Sequence, residues 1–492
     1  MADRWEYWRP RHSSSMASAG QATTLRRSCR RSSARCSGPL RRSSGSLRAR
    51  RVRRCARIGV CASLALLAPA PLSAQVRRDS ARVRIVENTT PAWLPGCAWT
   101  VDPRPVVEIG RGRDEHDLLA YVSGAVILPT GRVLVGNNGT QSVLAFDLDG
   151  RFAGQWGRPG NGPGEFRAVG IVQLLGRDSV LIEDREPGGG IRGLTIWTTS
   201  GRFVRRFAVP SRGPKAAQRM LEALGRMKSG AFVGILRSGG IFQLESQRLA
   251  QRPWWLAIVG ADQKISATVG PLTSQDIFEM MVDIYPESRP APYSAPVTAR
   301  VFGDRIYYTA AKAFEIQLFD ASGALRETFR RSVNPKRVDE AAKTAFRRSF
   351  TAAVELEAQQ IALKGHAKSA RLQRHNLGVW LRNAPFPASA PAISNFVVDQ
   401  QGYLWVEDYA LFSDTVATWS ILDPRGRYLG SIRRPLDVET MFVSDTLVLG
   451  RATDADGVET MRVYRVRGRF SSRTQQRPGQ SSSSAKPCPP SL

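Results

Sequence analysis

Two alternating series of turn signals predict that this 492-residue chain is an all-β protein of six four-stranded sheets. In one series a turn precedes a short apolar strand, and in the other a tight turn joins two strands as a hairpin. The first series occupies residues 131–135, 178–182, 230–233, 303–308, 402–406 and 445–449, and the second occupies residues 149–150, 200–201, 261–262, 322–323, 425–426 and 467–468. A four-stranded sheet cannot bury both faces alone, whereas radial stacking covers each sheet with its neighbours. The pattern therefore predicts a six-bladed β-propeller.

An early strand predicts how this ring closes. Residues 106–109 form an apolar strand ahead of the first complete unit, whereas little chain follows the last hairpin turn at residue 468. The early strand can therefore supply the outer strand of the sixth blade. We accordingly expect an N-terminal extension over residues 75–105 and a propeller over residues 106–470.

A helical insertion, residues 335–385, is predicted between the fourth and fifth blades. The strand pattern stops there, and Asn334 followed by Pro335 is typical of a helix start. Apolar residues then recur at four-residue intervals and share one helix face: Val338, Ala342, Phe346, Phe350 and Val354. The basic side chains of the insertion are interpreted as a solvated surface: Arg347, Arg348, Lys364, Lys368, Arg371 and Arg374.

The two ends of the chain have compositions unlike that of the predicted propeller. Residues 1–74 are rich in arginine, lack lysine and end in a basic stretch, a short apolar run and small residues up to Ala74. This order is typical of a signal peptide, and its apolar run is too short to span a bilayer. We therefore predict a basic disordered leader, cleavage near Ala74, and a periplasmic or secreted protein without a transmembrane anchor. Residues 471–492 are Ser/Pro-rich and are predicted to be disordered.

Charge and cysteine content restrict the function classes further. The net charge of +29 suits nucleic acid, anionic lipid or acidic polysaccharide, and charge alone does not choose among them. We interpret it as surface charge that maintains solubility, and the predicted export argues against a nucleic-acid partner. Of the six cysteines, only Cys97 and Cys488 lie beyond the predicted cleavage site. One pair is possible, but Cys488 lies in the Ser/Pro-rich tail, so we expect two unpaired thiols.

Three segments resemble a known family. Residues 157–166 read Gly-x-x-Gly-x-Gly-Pro-Gly-Glu-Phe, residues 390–393 read Ala-Pro-Ala-Ile, and residues 398–406 read Val-Asp-x-x-Gly-Tyr-Leu-Trp-Val. Over about residues 106–468 the chain is similar to exported bacterial six-bladed β-propeller proteins related to NHL repeats. This resemblance implies a fold far more than an activity, because propellers carry many unrelated sites.

Two sets of candidate site residues follow. Propellers of the lactonase type hold calcium in the central channel, and the matching innermost segments offer Ser123 and the candidate metal ligands Glu222, Asn395 and Glu439. Exposed loops at one mouth of a propeller place Arg158, Arg185 and Trp405 as candidate ligand-binding residues, since arginine and an aromatic ring suit acidic sugars or peptides. No catalytic residue and no cofactor is expected.

The function predicted from these observations is that of an exported binding or scaffolding propeller at the cell envelope. Its partner is expected to be a small molecule, an acidic glycan or a protein. The chain is expected to be monomeric and not to be an enzyme. One alternative is a calcium-dependent hydrolase of the lactonase or esterase type that uses the central channel. A second alternative is a protein–protein interaction module that binds through the helical insertion.

Overall fold

Strands dominate the computed structural model of this protein, which describes residues 75–80, 82–112, 116–187, 190–210, 213–214, 218–238, 247–273, 275–363, 365–454 and 456–469. Within these ranges the chain is mostly strand, as the sequence predicts, and it contains two helices. The predicted leader and signal peptide of residues 1–74, the tail of residues 471–492 and Lys364 lie outside the described residues.

Four strands precede sheet 1, and the sequence predicted only the last of them. They are β1 (Gln75–Ser80), β2 (Val83–Asn88), β3 (Thr100–Val101) and β4 (Val107–Ile109). Strand β1 pairs only with β2, whereas β2, β3 and β4 join sheets formed much later in the sequence.

Sheets 1 and 2 are antiparallel meanders joined by residues 157–166, called the glycine-rich link below. Sheet 1 contains β5 (Val122–Ile127), β6 (Val133–Asn137), β7 (Ser142–Phe146) and β8 (Phe152–Trp156). The link contains the short parallel pair β9 (Arg158–Pro159) and β10 (Glu165–Phe166). Sheet 2 contains β11 (Val169–Leu175), β12 (Ser179–Arg185), β13 (Ile191–Thr198) and β14 (Phe203–Phe207).

Sheet 3 is accompanied by a second, three-stranded sheet that the sequence analysis missed. The strands of this region are β15 (Gln218–Arg226), β16 (Phe232–Ser238), β17 (Arg248–Gln251), β18 (Trp254–Val259), β19 (Ile265–Leu272), β20 (Asp276–Val282) and β21 (Tyr285–Pro290). Sheet 3 has the order β15-β16-β18-β19, and the additional sheet has the order β17-β20-β21.

Sheets 4, 5 and 6 complete the series, and the N-terminal strands add to two of them. Sheet 4 contains β22 (Thr298–Phe302), β23 (Arg305–Thr309), β24 (Glu315–Asp320) and β25 (Leu325–Arg331), on which β2 lies parallel and β1 outermost. Sheet 5 contains β26 (Ile393–Val398), β27 (Leu404–Asp408), β28 (Ala417–Leu422) and β29 (Tyr428–Arg434). Sheet 6 contains β30 (Val438–Val443), β31 (Leu447–Thr453) and β32 (Glu459–Arg467), and both β3 and β4 pair with β32.

The first strands of the six sheets follow one another in a ring. Strand β5 contacts β11, and the contacts continue from β11 to β15, β15 to β22, β22 to β26 and β26 to β30. Strand β30 in turn contacts β5. Apolar clusters fill the spaces between neighbouring sheets; Leu134, Val143 and Val180, for example, join sheets 1 and 2. The first strands therefore surround a common axis.

Two helices between sheets 4 and 5 pack on the additional sheet. Helix α1 spans Glu340–Leu363 and α2 spans Ala367–Asn383. The start predicted at Asn334 and Pro335 is wrong: Asp339 precedes α1, and its carboxylate accepts the Ala342 amide N–H at 2.9 Å, as an N-cap does. The predicted face is right, since Phe346 and Phe350 are buried.

The helices and strands β17, β20 and β21 together are called the helical module below. Its core is an apolar cluster in which Phe278 and Trp380 lie beside Phe346 and Phe350. The Trp380 indole donates a hydrogen bond to the Phe278 carbonyl at 3.1 Å, and the Tyr293 hydroxyl donates one to the Ala342 carbonyl at 2.8 Å. These contacts attach α1 and α2 to the strand segment that leads into β22.

Two further observations concern the N-terminal segment and the membrane. Cys97 is disulfide-bonded, so the expectation of an unpaired thiol at this position is wrong. No helix of the described part of the chain is both long and apolar enough to span a bilayer.

Candidate ligand-binding channel

The ring of first strands encloses a cavity of about 1060 Å³. Its lining includes residues from β5, β11, β15, β22, β26 and β30, that is, from the first strand of every sheet. Side chains of these strands alternate between the cavity and the spaces between sheets because the side-chain period of a strand is two. The cavity is therefore the central channel of the ring, and its polar side chains are the candidate site.

Arg300, on β22, is a half-buried charged group of this channel that has no ionic partner among the described residues; Arg177, which also lines the channel, is exposed. Its Nη2 donates a hydrogen bond to Asn395 Oδ1 at 3.0 Å, and its Nη1 donates to the Ala299 carbonyl at 2.9 Å. The guanidinium carbon lies 5.9 Å from the centroid of the Phe396 ring. No carboxylate of the described residues forms an ion pair with Arg300, which is half-buried.

Arg185, in contrast, lies between two carboxylates. Its guanidinium is 3.8 Å from Glu222 and 3.9 Å from Glu183. Glu183 is fully buried and accepts the amide N–H groups of Ala223 at 3.0 Å and Ile171 at 3.2 Å. Burial raises the pKa of Glu183 to about 7, although Arg185 and the Ala223 amide act in the opposite direction.

Glu439 is also paired. Arg451 donates a hydrogen bond to the Glu439 carboxylate, donates another to the Val122 carbonyl at 2.6 Å, and lies 3.6 Å from Glu459. This buried arginine joins sheet 6 to the first strand of sheet 1. Glu439 therefore already has a cation beside it within the protein.

The candidate metal ligands do not fit calcium as they are arranged. Glu222 faces Arg185, Asn395 Oδ1 accepts a hydrogen bond from Arg300, and Glu439 is bound by Arg451. Calcium takes six to eight oxygen ligands and usually more than one free carboxylate. Within the described ranges no cluster of three or more His, Cys, Asp or Glu side chains has the arrangement of a metal site.

The predicted ligand-binding residues are not brought together. Arg158 is exposed on the glycine-rich link, where its Nε donates to Glu165 Oε1 at 2.9 Å. Trp405 is fully buried, and its indole donates to Asp399 Oδ2 at 2.9 Å, so its ring is not open to a ligand. Only Arg185 lines the channel. Sequence reasoning missed Arg300 because it searched the innermost strands for oxygen ligands rather than for a cation in an otherwise apolar strand.

Several buried acids have a structural role that repeats between sheets. The first strand of each sheet is an edge strand, whose free N–H groups need acceptors. Glu183 accepts from Ala223 on the next sheet, Glu407 from Thr440 at 3.1 Å, and Glu459 from Val122 at 2.8 Å. Asn138 makes the equivalent bond to Val169 at 2.7 Å. These side chains join consecutive sheets.

A second cavity of about 550 Å³ lies at the turns of sheets 4 and 5 and shares Phe302 and Gln401 with the channel lining. Its arginines are paired: Arg305 lies 3.3 Å from Glu327, and Arg326 lies 2.6 Å from Asp320. Satisfied charges of this kind leave no group to recognise an ion. The channel is therefore the stronger candidate site.

Comparisons with known proteins found no matching family model and no matching curated protein. Among solved structures, a putative exported protein from Bacteroides fragilis is 9% identical with a TM-score of 0.39, covering 78% of this chain and 99% of its own. A member of the duf4221 family from Bacteroides vulgatus is 11% identical with a TM-score of 0.40, covering 75% and 97%. A gluconolactonase from Xanthomonas campestris is 12% identical with a TM-score of 0.36, covering 70% and 86%. These likenesses are too distant to assign a family or an activity to this chain.

Proposed function

We propose that this chain is a six-bladed β-propeller, related to exported bacterial propellers of the NHL type, that binds an anionic small molecule in its central channel. The ring of contacts between first strands supports six blades, and the pairing of β4 with β32 supports closure by an N-terminal strand. Residues 157–166 and 398–406 support the family. The protein acts as a binding module at the cell envelope.

One observation carries the ligand class. Arg300 faces the channel with neutral hydrogen-bond partners, whereas Arg185 and Arg451 are each paired with carboxylates. A half-buried cation without a counter-ion is a favourable partner for a carboxylate, which a guanidinium binds through two parallel hydrogen bonds. The ligand therefore carries a carboxylate that pairs with Arg300.

Calorimetric titration of the purified protein tests this function. We expect D-glucuronate to bind at least about tenfold more tightly than D-glucose, its neutral counterpart, because the carboxylate adds a charge-assisted pair. Arg300→Gln should abolish this difference. Arg326→Gln, which removes an arginine paired with Asp320 outside the channel, should preserve it. Equal binding of both sugars, or binding unchanged by Arg300→Gln, would contradict the proposal.

Export is the second part of the proposal. Cleavage after Ala74 would leave a chain that begins with Gln75, the first residue of β1. N-terminal sequencing of the protein from its native host should find Gln75 in the periplasm or medium. A cytoplasmic pool that retains residues 1–74 would reject this part and leave the ligand class to be judged by the titration.

A further inference from the structure

A small cavity lies beside Asn395, the hydrogen-bond partner of Arg300. It has a volume of about 90 Å³ and is lined by Ser294 from the segment before β22, by Asn395 on β26 and by Arg434 at the end of β29. Glu439 lines both this side cavity and the channel. Because Asn395 accepts a hydrogen bond from Arg300, a molecule held by Arg300 can extend a group into the side cavity.

The polar atoms of the side cavity include two without partners. Ser294 is 8% exposed, and its Oγ has no hydrogen-bond partner. The Arg434 Nη1 donates to the Pro435 and Val438 carbonyls at 3.1 and 2.8 Å, but its buried Nε–H has no acceptor. A buried donor without an acceptor destabilises the protein, so an acceptor at this place would be favourable.

The charges of the side cavity exclude an anion. Arg434 lies 3.6 Å from Glu407, so the two ions balance each other. Glu407 Oε2 lies 3.4 Å from the Ser394 hydroxyl, which donates to it, and its Oε1 accepts the Thr440 amide N–H at 3.1 Å. Glu439 adds a second carboxylate to the lining. A carboxylate would meet two acids here and a cation would meet Arg434, so a neutral group fits this cavity best.

The volume of the side cavity and its apolar lining restrict the chemical identity of the group that it can hold. A cavity of about 90 Å³ has room for about three water molecules, or for a group of three or four heavy atoms. Apolar side chains complete its wall: Pro296, Ala410, Phe412, Leu436 and Val438. An acetamido group matches each feature, because its carbonyl accepts from Arg434 or Ser294, its N–H donates, and its methyl contacts the apolar wall.

We propose that the side cavity is a subsite for the acetamido group of the ligand, which is therefore an N-acetylated carboxylic acid. This inference rests on the proposed function, because the carboxylate of the same molecule pairs with Arg300. Two sources share this chemistry: N-acetylated amino-sugar acids and N-acetylated amino acids. The size of the channel accommodates either.

Calorimetry with four sugars measures the contributions of the carboxylate and the acetamido group separately. D-glucose has neither group, D-glucuronate has the carboxylate, N-acetylglucosamine has the acetamido group, and N-acetylmuramic acid has both; N-acetylalanine represents the amino-acid source. We expect N-acetylmuramic acid to bind at least about tenfold more tightly than D-glucuronate. Ser294→Ala should reduce that preference about threefold to tenfold by removing one hydrogen bond. Ala410→Val, which narrows the cavity, should abolish it.

Each outcome decides between the two proposals. Ser266→Ala removes a serine on the outer strand of sheet 3 and should change nothing. If the acids bind through Arg300 but Ser294→Ala and Ala410→Val leave the preference unchanged, the subsite is refuted and the channel site stands. If N-acetylglucosamine binds through Ser294 while Arg300→Gln has no effect, the subsite stands and the anionic ligand is refuted. If none of these probes binds, both are refuted.

Discussion

Glu183 is the residue whose chemistry gives the most direct test of the arrangement around the channel. Its pKa is raised to about 7 by burial, against an ordinary value of 4.5. The folded protein therefore holds a proton that the unfolded chain releases between these two values. The stability contributed by this group is fully present below pH 4.5 and is lost as the pH rises through 7, by up to about 3 kcal/mol.

Glu183→Gln should remove this pH dependence. Urea unfolding at pH 5 and pH 8 should show a smaller loss of stability in the variant than in the wild type, because the amide does not ionise. Glu186→Gln, which changes a half-exposed acid next to Arg192, serves as the control and should retain the wild-type slope. Identical slopes for all three proteins would mean that Glu183 is ionised in the fold at both pH values.

The candidate site was harder to predict from sequence than the sheets around it. A turn followed by a short apolar run predicts a strand from local sequence alone. The ion-pair or hydrogen-bond partner of a side chain, however, depends on residues of neighbouring strands and sheets. Trp405 belongs to the segment used for the family resemblance, yet it is fully buried. Glu222 and Glu439 are acids on inner strands as expected, but their arginine partners come from neighbouring strands. Arg300 has no sequence feature that reveals its missing counter-ion.

At the scale of elements, the glycine-rich link is held by its own side chains. Glu165 accepts the Gly162 amide N–H at 2.8 Å and pairs with Arg158, while Phe166 is fully buried against Trp197. These contacts hold the link in one conformation. Gly157 has φ +74°, and a Cβ there would lie 2.4 Å from the Phe166 ring.

Gly157→Ala should destabilise the protein by more than the strain of a positive φ alone, which is about 1 kcal/mol. The added clash displaces Phe166 from the core between sheets 1 and 2, and we expect a total loss of about 3 kcal/mol. Gly303→Ala is the matched control, since Gly303 has φ +61° and a Cβ there would have no atom within 4 Å. Urea unfolding of both variants makes the comparison, and equal losses would show that the link tolerates a displaced Phe166.

Element boundaries show where local pattern stops being sufficient. The apolar face of α1 follows from its four-residue spacing, but Asn334 and Pro335 lie before the helix and Asp339 caps it. The additional sheet was missed because β17 lies between two strands of sheet 3 in the sequence and pairs with β20 instead. Such pairing is set by the helices that cover the sheet, which no local pattern contains.

At the scale of the whole molecule, residues 83–109 form a strap across the last three sheets. Strand β2 pairs with β25 of sheet 4, and Asn88 makes hydrogen bonds to Gly426 and Tyr428 of sheet 5 at 2.9 Å each. Trp99 lies 5.9 Å from Trp405 in ring-centroid distance, beneath the Arg469 guanidinium. Strands β3 and β4 then pair with β32. The strap therefore connects sheets that the ring would otherwise hold only through their neighbours.

Removal of the strap should weaken the ring as a unit. A variant that begins at residue 106 keeps β4 but loses β2 and Trp99, which uncovers the buried Phe329 and Trp405. We expect its free energy of unfolding to fall by at least about 4 kcal/mol, because each large buried side chain contributes about 2 kcal/mol.

A variant that begins at residue 82 loses only β1, which pairs with β2 alone, and should remain within about 1 kcal/mol of the protein that begins at Gln75. Cys97→Ser measures the contribution of the disulfide alone, apart from that of the strap. Urea unfolding of all four proteins gives their free energies of unfolding. If the variant that begins at residue 106 unfolds at the same urea concentration as the others, the ring is closed by β4 alone and the strap contributes nothing to its stability.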